Sequence, residues 1–550
     1  MINSLALAAL SCGALYLGYL FYARFIARLW DFQPDRPTPA RESPDAVDFI
    51  PAKHWTVLFG HHFASIAGVA PVVGPVLACA IWGWVPALLW IVLGSIFLGA
   101  VHDLSSLMAS LRARGRSIAD LAEAHLGHRV RVAFGGFLWL TLVLVVAVFA
   151  RFGAMTLNDE PRVVIPTFGV IVVAVVVGLM MYRWQVPQWL ATVLGLGMLG
   201  GLLLLGYHFP IPLPWGSSNV LVWTIVLLVY AYFASITPVN LLLQPRDYLS
   251  TFVLYIGLLL GYAGLVLTHP TVQSPPIVAF SAKQGPLWPM LFVVVACGAI
   301  SGFHSLVASG TTVKQLGREA DAPRIGYGAM IVEAALAVLA IVAVTAGLRW
   351  DSGPSPLIDV LKTQNAPSPL VTFANGFSVL TEPIFRNPAL GALIAITVLK
   401  TFIMTTLDSA TRITRYIGEE LFGEGLGLKF LRNRFLATLI IIGLAFHLAR
   451  GPWQTIWPVF GSANQLIAAL ALLVLTVILW RRGKPTVYTL IPFLFMLATT
   501  LGALIYQGRG FIVDRKIALA VLSAALIVLA VMMTVDSLRA VIRRGRARRP

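Results

Sequence analysis

A chain of 550 residues that is 58% hydrophobic and only 11% charged cannot cover the surface of a water-soluble protein of that size, so it reads as a polytopic membrane protein. The formal net charge of +17 fits basic loops on one side of a membrane, and no nucleic-acid partner is implied. The three cysteines, Cys12, Cys79 and Cys297, all lie in apolar spans and show neither metal-ligand spacing nor a disulfide framework.

The first apolar segment, about Ser4 to Trp30, is too long for a signal-peptide core. It has no basic residue before it and closes on Arg24 and Arg28, so it reads as a retained transmembrane helix with its N-terminus outside. About fifteen apolar spans are predicted in all, each long enough for a hydrocarbon core of ~30 Å. They centre near residues 16, 69, 96, 141, 172, 197, 230, 259, 300, 337, 398, 441, 467, 497 and 526. With the N-terminus outside, 29 Lys and Arg fall inside and 10 outside, with Lys400 within a span, which supports an odd number of crossings and a basic cytoplasmic C-terminus. The outer loop from Arg349 to Asn387 is the longest and is expected to hold at most a short surface helix.

The second span, about Trp55 to Trp84, carries Gly68, Pro71, Gly74 and Pro75 near its middle. Proline lacks an N–H and clashes with the preceding turn, so the helix is predicted to break between residues 67 and 72. Non-helical backbone at membrane depth is tolerated only inside protein or beside an aqueous cavity. A half-helix restarting at Pro71 leaves the N–H groups of Val72, Val73 and Gly74 free to attract an anion. The seventh span carries Thr237-Pro238 and Asn240 toward its inner end, five spans later and in the opposite direction. Two interrupted helices so placed predict an inverted-repeat core over spans 2 to 11, with spans 1 and 12 to 15 as additions.

Polar groups mark other spans. The third contains His102 and Asp103, the tenth Glu333, and the eleventh Lys400 and Asp408. The ninth, "ACGAISGFHSLVASGTTVKQL", reads as a small-residue packing face with His304 within it. Asp103 and Asp408 lie near inner ends, where they read either as functional groups or as partners of loop arginines such as Arg412. His62 and His304 read as site residues or as satisfied core histidines, and no His/Asp/Cys set has metal-ligand spacing.

Six stretches, "FGHHFASIAGVAPVVGPVLA", "HDLSSLMASLRARGRS", "PRDYLSTF", "ACGAISGFHSLVASGTT", "TTLDSATRITRY" and "WPVFGSANQLIAALAL", resemble in that order the blocks of the carbon starvation protein A (CstA) family, over about residues 50 to 475. The resemblance implies a prokaryotic inner-membrane protein of the carbon-starvation response, associated with uptake of pyruvate or peptides. It also implies an all-α, LeuT-type fold of the amino acid–polyamine–cation superfamily with a 5+5 inverted repeat. The expected organisation is an N-terminal helix and loop (1–50), a transporter core (51–410) and C-terminal helices with a basic tail (411–550). No nucleophile–base motif, cofactor loop or Walker A sequence appears, so neither an enzyme nor a primary pump is expected, and no cofactor. A non-transporting membrane sensor or assembly protein is the alternative, and broken helices speak against it.

The expected substrate site comprises His62, Ser65, Gly68, Pro71, Val72, Val73, Gly74, Thr237 and Asn240, with a carboxylate on the backbone N–H groups. His62 lines up with Ser65 and is expected in the cavity, with His61 packed against a neighbouring span. The fold implied by the resemblance places a cation site between spans 2 and 9. Ser301, Ser305, Ser309, Thr311 and Thr312 offer oxygens for sodium. The density of titratable groups, His61, His102, Asp103, His304, Glu333 and Asp408, favours proton coupling, with His304 and Glu333 as carriers.

Overall fold

The structure, a computed structural model, describes residues 2–42, 44, 48–239, 242–348, 369–451 and 453–547. Asn240 and the stretch 349–368 lie outside the described residues. Among the described residues the chain is all-α apart from one short hairpin pairing Ser281–Ala282 with Gly285–Pro286 and an isolated bridge between Asn3 and Thr271. The principal helices are α1 (Ser4–Leu29), α2 (Trp55–Ala67), α3 (Ala70–Ile81), α4 (Trp84–Arg112), α5 (His128–Asp159), α6 (Pro161–Met181), α7 (Gln188–His208), α8 (Asn219–Ile236) and α9 (Leu243–Thr268). They continue with α10 (Leu287–Val294), α11 (Gly302–Val307), α12 (Glu319–Ala346), α13 (Pro369–Phe385), α14 (Pro388–Gly418), α15 (Arg434–Ala449), α16 (Trp453–Arg481), α17 (Val487–Val513) and α18 (Ile517–Ala547).

Thirteen spans among the described residues are long and apolar enough to cross a membrane, α2 and α3 counting as one. Two more of the predicted centres have helical counterparts of a different kind. The centre near 300 falls between the half-helices α10 and α11, and the one near 441 falls on the sixteen-residue α15. The segment expected as a loop up to Asn387 contains the seventeen-residue α13, whose Leu370, Phe373, Phe377 and Leu380 are buried. Its apolar face packs against α9, α12 and α14, which is why it is part of the bundle and not a surface helix.

The second span is interrupted where the glycine–proline pattern predicts. α2 ends on Gly68, whose φ of 46° and ψ of −148° belong to a region that only glycine occupies without strain. α3 restarts with Pro71 in its first turn, where the missing N–H costs nothing. The seventh span is a correction. α8 closes at Ile236 and Thr237 is already extended, because a residue before proline is pushed out of the helical region. Thr237-Pro238 therefore ends a helix, and the Arg412 guanidinium caps it by donating to the carbonyls of Ala234 and Thr237.

The second discontinuous helix is the ninth span. α10 stops at Val295, the N–H groups of Ala299 and Ile300 both turn back onto the Ala296 carbonyl, and extended Ser301 leads into α11. α11 continues through a π-helical turn, Ala308–Thr312. No residue of its own caps α11. Instead Asn464 of α16 accepts the Phe303 N–H at 2.9 Å, and its amide donates to Ser301 Oγ at 3.0 Å.

The two broken helices run antiparallel, with α2 against α11 and α3 against α10. Their close approach needs glycine: a Cβ on Gly74 would lie 2.6 Å from the Val294 carbonyl oxygen. At the breaks, Gly298 faces Pro71, with 3.7 Å between the place of its missing Cβ and the Pro71 Cα. α4 and α12 flank this pair, α5 crosses against α14, and α9 lies along α2. α14 runs through residue 410, the boundary expected for the core. α16, expected among the additions, is enclosed throughout its apolar stretch and packs on α4, α5 and α11.

Candidate functional site

Two clusters of polar side chains, buried except for the half-buried Tyr230, lie against the α2/α11 pair. The first begins at His61, which has both ring nitrogens engaged: Nδ1 lies 2.6 Å from Asp247 Oδ2 and Nε2 3.3 Å from Thr311 Oγ1. Asp247 in turn meets the Arg246 guanidinium at 3.0 Å and accepts from the Thr405 hydroxyl at 3.1 Å. Arg246 also donates to Thr405 Oγ1 at 2.7 Å and to Asp408, and Tyr230 donates to the same Asp408 oxygen at 2.7 Å. α2, α8, α9, α11 and α14 thus converge on one ionic network.

The second cluster is a line of four titratable groups. Asp103 receives His102 Nδ1 at 2.8 Å on one oxygen and His304 Nδ1 at 2.9 Å on the other. His304 Nε2 lies 3.4 Å from Glu333 Oε2, and neither Glu333 oxygen has a hydrogen-bond partner among the described residues. With Nδ1–H given to Asp103, the Nε2 lone pair faces Glu333, so the pair can hold one proton on either member. A carboxyl buried in this way is costly as a bare anion, so protonation of the His304–Glu333 pair is coupled to whatever exposes it.

Between the clusters stands His62. Its Nδ1 lies 2.8 Å from Thr312 Oγ1, and its Nε2 has no partner among the described residues. The π-helical turn after α11 presents consecutive threonines to consecutive histidines, Thr311 to His61 and Thr312 to His62. Ser65 Oγ meets Ser409 Oγ at 2.7 Å, and the Thr406 hydroxyl donates to the Ser65 carbonyl at 3.1 Å.

The backbone donors sit elsewhere than expected. The N–H groups of Val72 and Val73 both donate to the Val69 carbonyl, at 3.1 and 2.9 Å, because the half-helix already turns at Val69. Gly74 serves the contact with Val294. Among the described residues the buried N–H groups of Gly68, Val69 and Ala70 at one break, and of Ala296, Cys297, Gly298, Ser301 and Gly302 at the other, have no hydrogen-bond partner. Thr237 has its hydroxyl spent on the Phe233 carbonyl and its own carbonyl on Arg412, and it joins neither cluster.

The hydroxyls considered for sodium do not converge. Ser305 and Ser309 donate to the carbonyls of Gly302 and Ser305 in their own helix, Ser301 is held by Asn464, and Thr311 and Thr312 face the histidines. Asp408 pairs with Arg246 and Tyr230 of the neighbouring helices, and Arg412 takes Asp48 instead, at 3.1 Å. Lys400 donates to the Gly153 carbonyl at 2.5 Å. Tyr230, Arg246, Asp247, Thr405 and Asn464 are the participants the sequence reading did not single out. The signal for two of them was the adjacent Arg246-Asp247 pair at the edge of the eighth apolar span.

Known proteins resemble this chain in sequence and in fold. The sequence profile described as carbon starvation protein CstA matches residues 3–349 and 358–503. The peptide transporter CstA of Campylobacter jejuni is 32% identical, over 92% of this chain and 80% of its own length. The pyruvate/proton symporter BtsT of Escherichia coli is 31% identical, over 92% of this chain and 81% of its own. The peptide transporter CstA of the same organism is 32% identical, over 94% and 82%. Among solved structures, the manganese transporter of Eremococcus coleocola superposes with a TM-score of 0.54 at 13% identity, covering 90% of this chain and 99% of that one, a likeness of fold alone.

Proposed function

The chain belongs to the carbon starvation protein CstA family, and we propose that it is a proton-coupled secondary transporter for a small carboxylate, either pyruvate or a short peptide. The observation that carries this reading is the meeting of two antiparallel discontinuous helices at Pro71 and Gly298, with unpaired backbone N–H groups on both sides of the junction. Such donors at membrane depth replace the hydration of an anion, and His62 Nε2 adds a side-chain donor beside them. The carboxylate therefore sits among the free N–H groups at the two breaks, Gly68 to Ala70 on one side and Ala296 to Gly298 with Ser301 and Gly302 on the other, and not on Val72 and Val73, whose N–H groups are spent. The His102–Asp103–His304–Glu333 line supplies the proton site, and the names of the relatives support both substrate classes and proton symport. On this reading the protein lies in the cytoplasmic membrane, and the distribution of Lys and Arg supports an N-terminus outside.

Purified protein in proteoliposomes should accumulate labelled pyruvate, or labelled di- and tripeptides, under an inward proton gradient. His62→Ala should abolish that uptake with membrane insertion intact. Failure of the wild-type protein to move either substrate class rejects the proposal.

A further inference from the structure

α1 lies outside the bundle, packed mainly against α12, and two cavities line the seam between them. The upper one, about 420 Å³, is apolar, with Leu15, Phe59, Ile331, Val332 and Ala335 among its walls. The lower one, about 270 Å³, is lined by Arg24, Arg28 and Arg324. Tyr19 and Arg324 line both, so the two are adjacent along the seam.

Arg24 and Arg28 stand one turn apart on the exposed side of α1 and have no acidic partner among the described residues. Like charges at this spacing repel. Arg324 adds a third guanidinium from α12. It lies 3.6 Å from the Asp321 carboxylate and 5.5 Å from the centre of the Trp55 ring, and it is 55% exposed. Three cations thus meet one carboxylate at the foot of an apolar groove. All three sit at the same membrane end, since α1 finishes and α12 begins there.

We propose that this seam is a binding site for an anionic phospholipid. Its phosphate rests on Arg24, Arg28 and Arg324, and an acyl chain runs up the groove between α1 and α12. A soluble phosphate would use the guanidinium groups and leave the groove uncovered, whereas a lipid matches both halves at the level where headgroups lie. Because Trp55 and Phe59 belong to α2, the lipid touches the first half of a discontinuous helix as well as the peripheral α1.

The test reads binding only, so its failure leaves the transport proposal standing. Delipidated full-length protein is titrated in detergent with dioleoyl phosphatidylglycerol and with dioleoyl phosphatidylcholine, and bound lipid is counted by native mass spectrometry. The anionic lipid should bind at least tenfold tighter. The preference should vanish in Arg24→Gln/Arg28→Gln/Arg324→Gln and persist in the surface control Arg509→Gln. Dihexanoyl phosphatidylglycerol, with the same headgroup and little chain, should bind at least tenfold more weakly than the dioleoyl form, which tests the groove without any substitution. Equal binding of the zwitterionic lipid, an unchanged preference in the triple variant, or displacement of the lipid by millimolar inorganic phosphate would each overturn the proposal.

Discussion

Arg246 is one cation held between two carboxylates, Asp247 and Asp408, with no exposed side chain in the set. Desolvating such charges is costly, and the partners offset much of it: Tyr230 donates to Asp408, Thr405 to Asp247, and His61 covers the other Asp247 oxygen, while Asp408 Oδ1 and Arg246 Nε have no partner among the described residues. Removing the cation alone strands two buried anions. Arg246→Gln is therefore expected to lower unfolding stability by about 3–5 kcal/mol. Adding Asp408→Asn should recover part of that loss, because one stranded charge is then gone. Thermal unfolding of the two single variants and the double variant in detergent gives the coupling energy, and simple additivity would show that the contact is not energetic. Little of this was legible beforehand. Arg246 and Asp247 are visible in the sequence, but Asp408 is 162 positions away, and no periodicity links them. In the sequence Asp408 reads either as a functional group or as a partner of a loop arginine such as Arg412; tertiary packing gives each of the two a partner elsewhere.

At the scale of elements, one discontinuity was legible and the other was not. In the second span, proline and glycine stand at the break itself, and their backbone chemistry dictates it. In the ninth span the break contains Cys297, Gly298, Ala299, Ile300 and Ser301, none of which forbids a helix. There the helix yields because Asn464, from a helix more than a hundred residues later, offers Phe303 a better-placed acceptor than a preceding turn would. Thr237-Pro238 carried the stronger local signal and proved to be an ordinary helix end. Gly68 affords a direct test of the first break. A Cβ there would be 2.9 Å from the Phe149 ring and would have to adopt a left-handed backbone. Gly68→Ala should cost about 1–3 kcal/mol from the backbone alone and should cut uptake severely while the protein still reaches the membrane. Wild-type uptake by this variant would show that the break is not part of the transport cycle. Gly74→Ala probes the contact between half-helices instead. It must push α3 away from the Val294 carbonyl and should lower stability as well as uptake.

For the whole molecule, coupling requires that the proton site and the substrate junction report on the same motion. His304 lies on α11, one half of a discontinuous helix, while its partners Asp103 and Glu333 lie on the flanking α4 and α12. Movement of α11 against that pair would separate His304 from both carboxyl groups at once, and it would also carry Thr311 and Thr312 away from His61 and His62. On the proposed reading, one such displacement would change both the proton affinity of the line and the surroundings of His62. The consequence is a separation of two activities. His304→Gln and Glu333→Gln should retain exchange of labelled for unlabelled substrate, which needs only the junction, and lose accumulation against a gradient, which needs the proton. In the wild-type protein, accumulation should follow an acidic exterior in sodium-free buffer and collapse with a protonophore. Uptake that requires sodium and ignores the pH gradient would move the coupling site away from His304 and Glu333. Loss of exchange together with accumulation in both variants would instead make these residues part of the substrate junction itself.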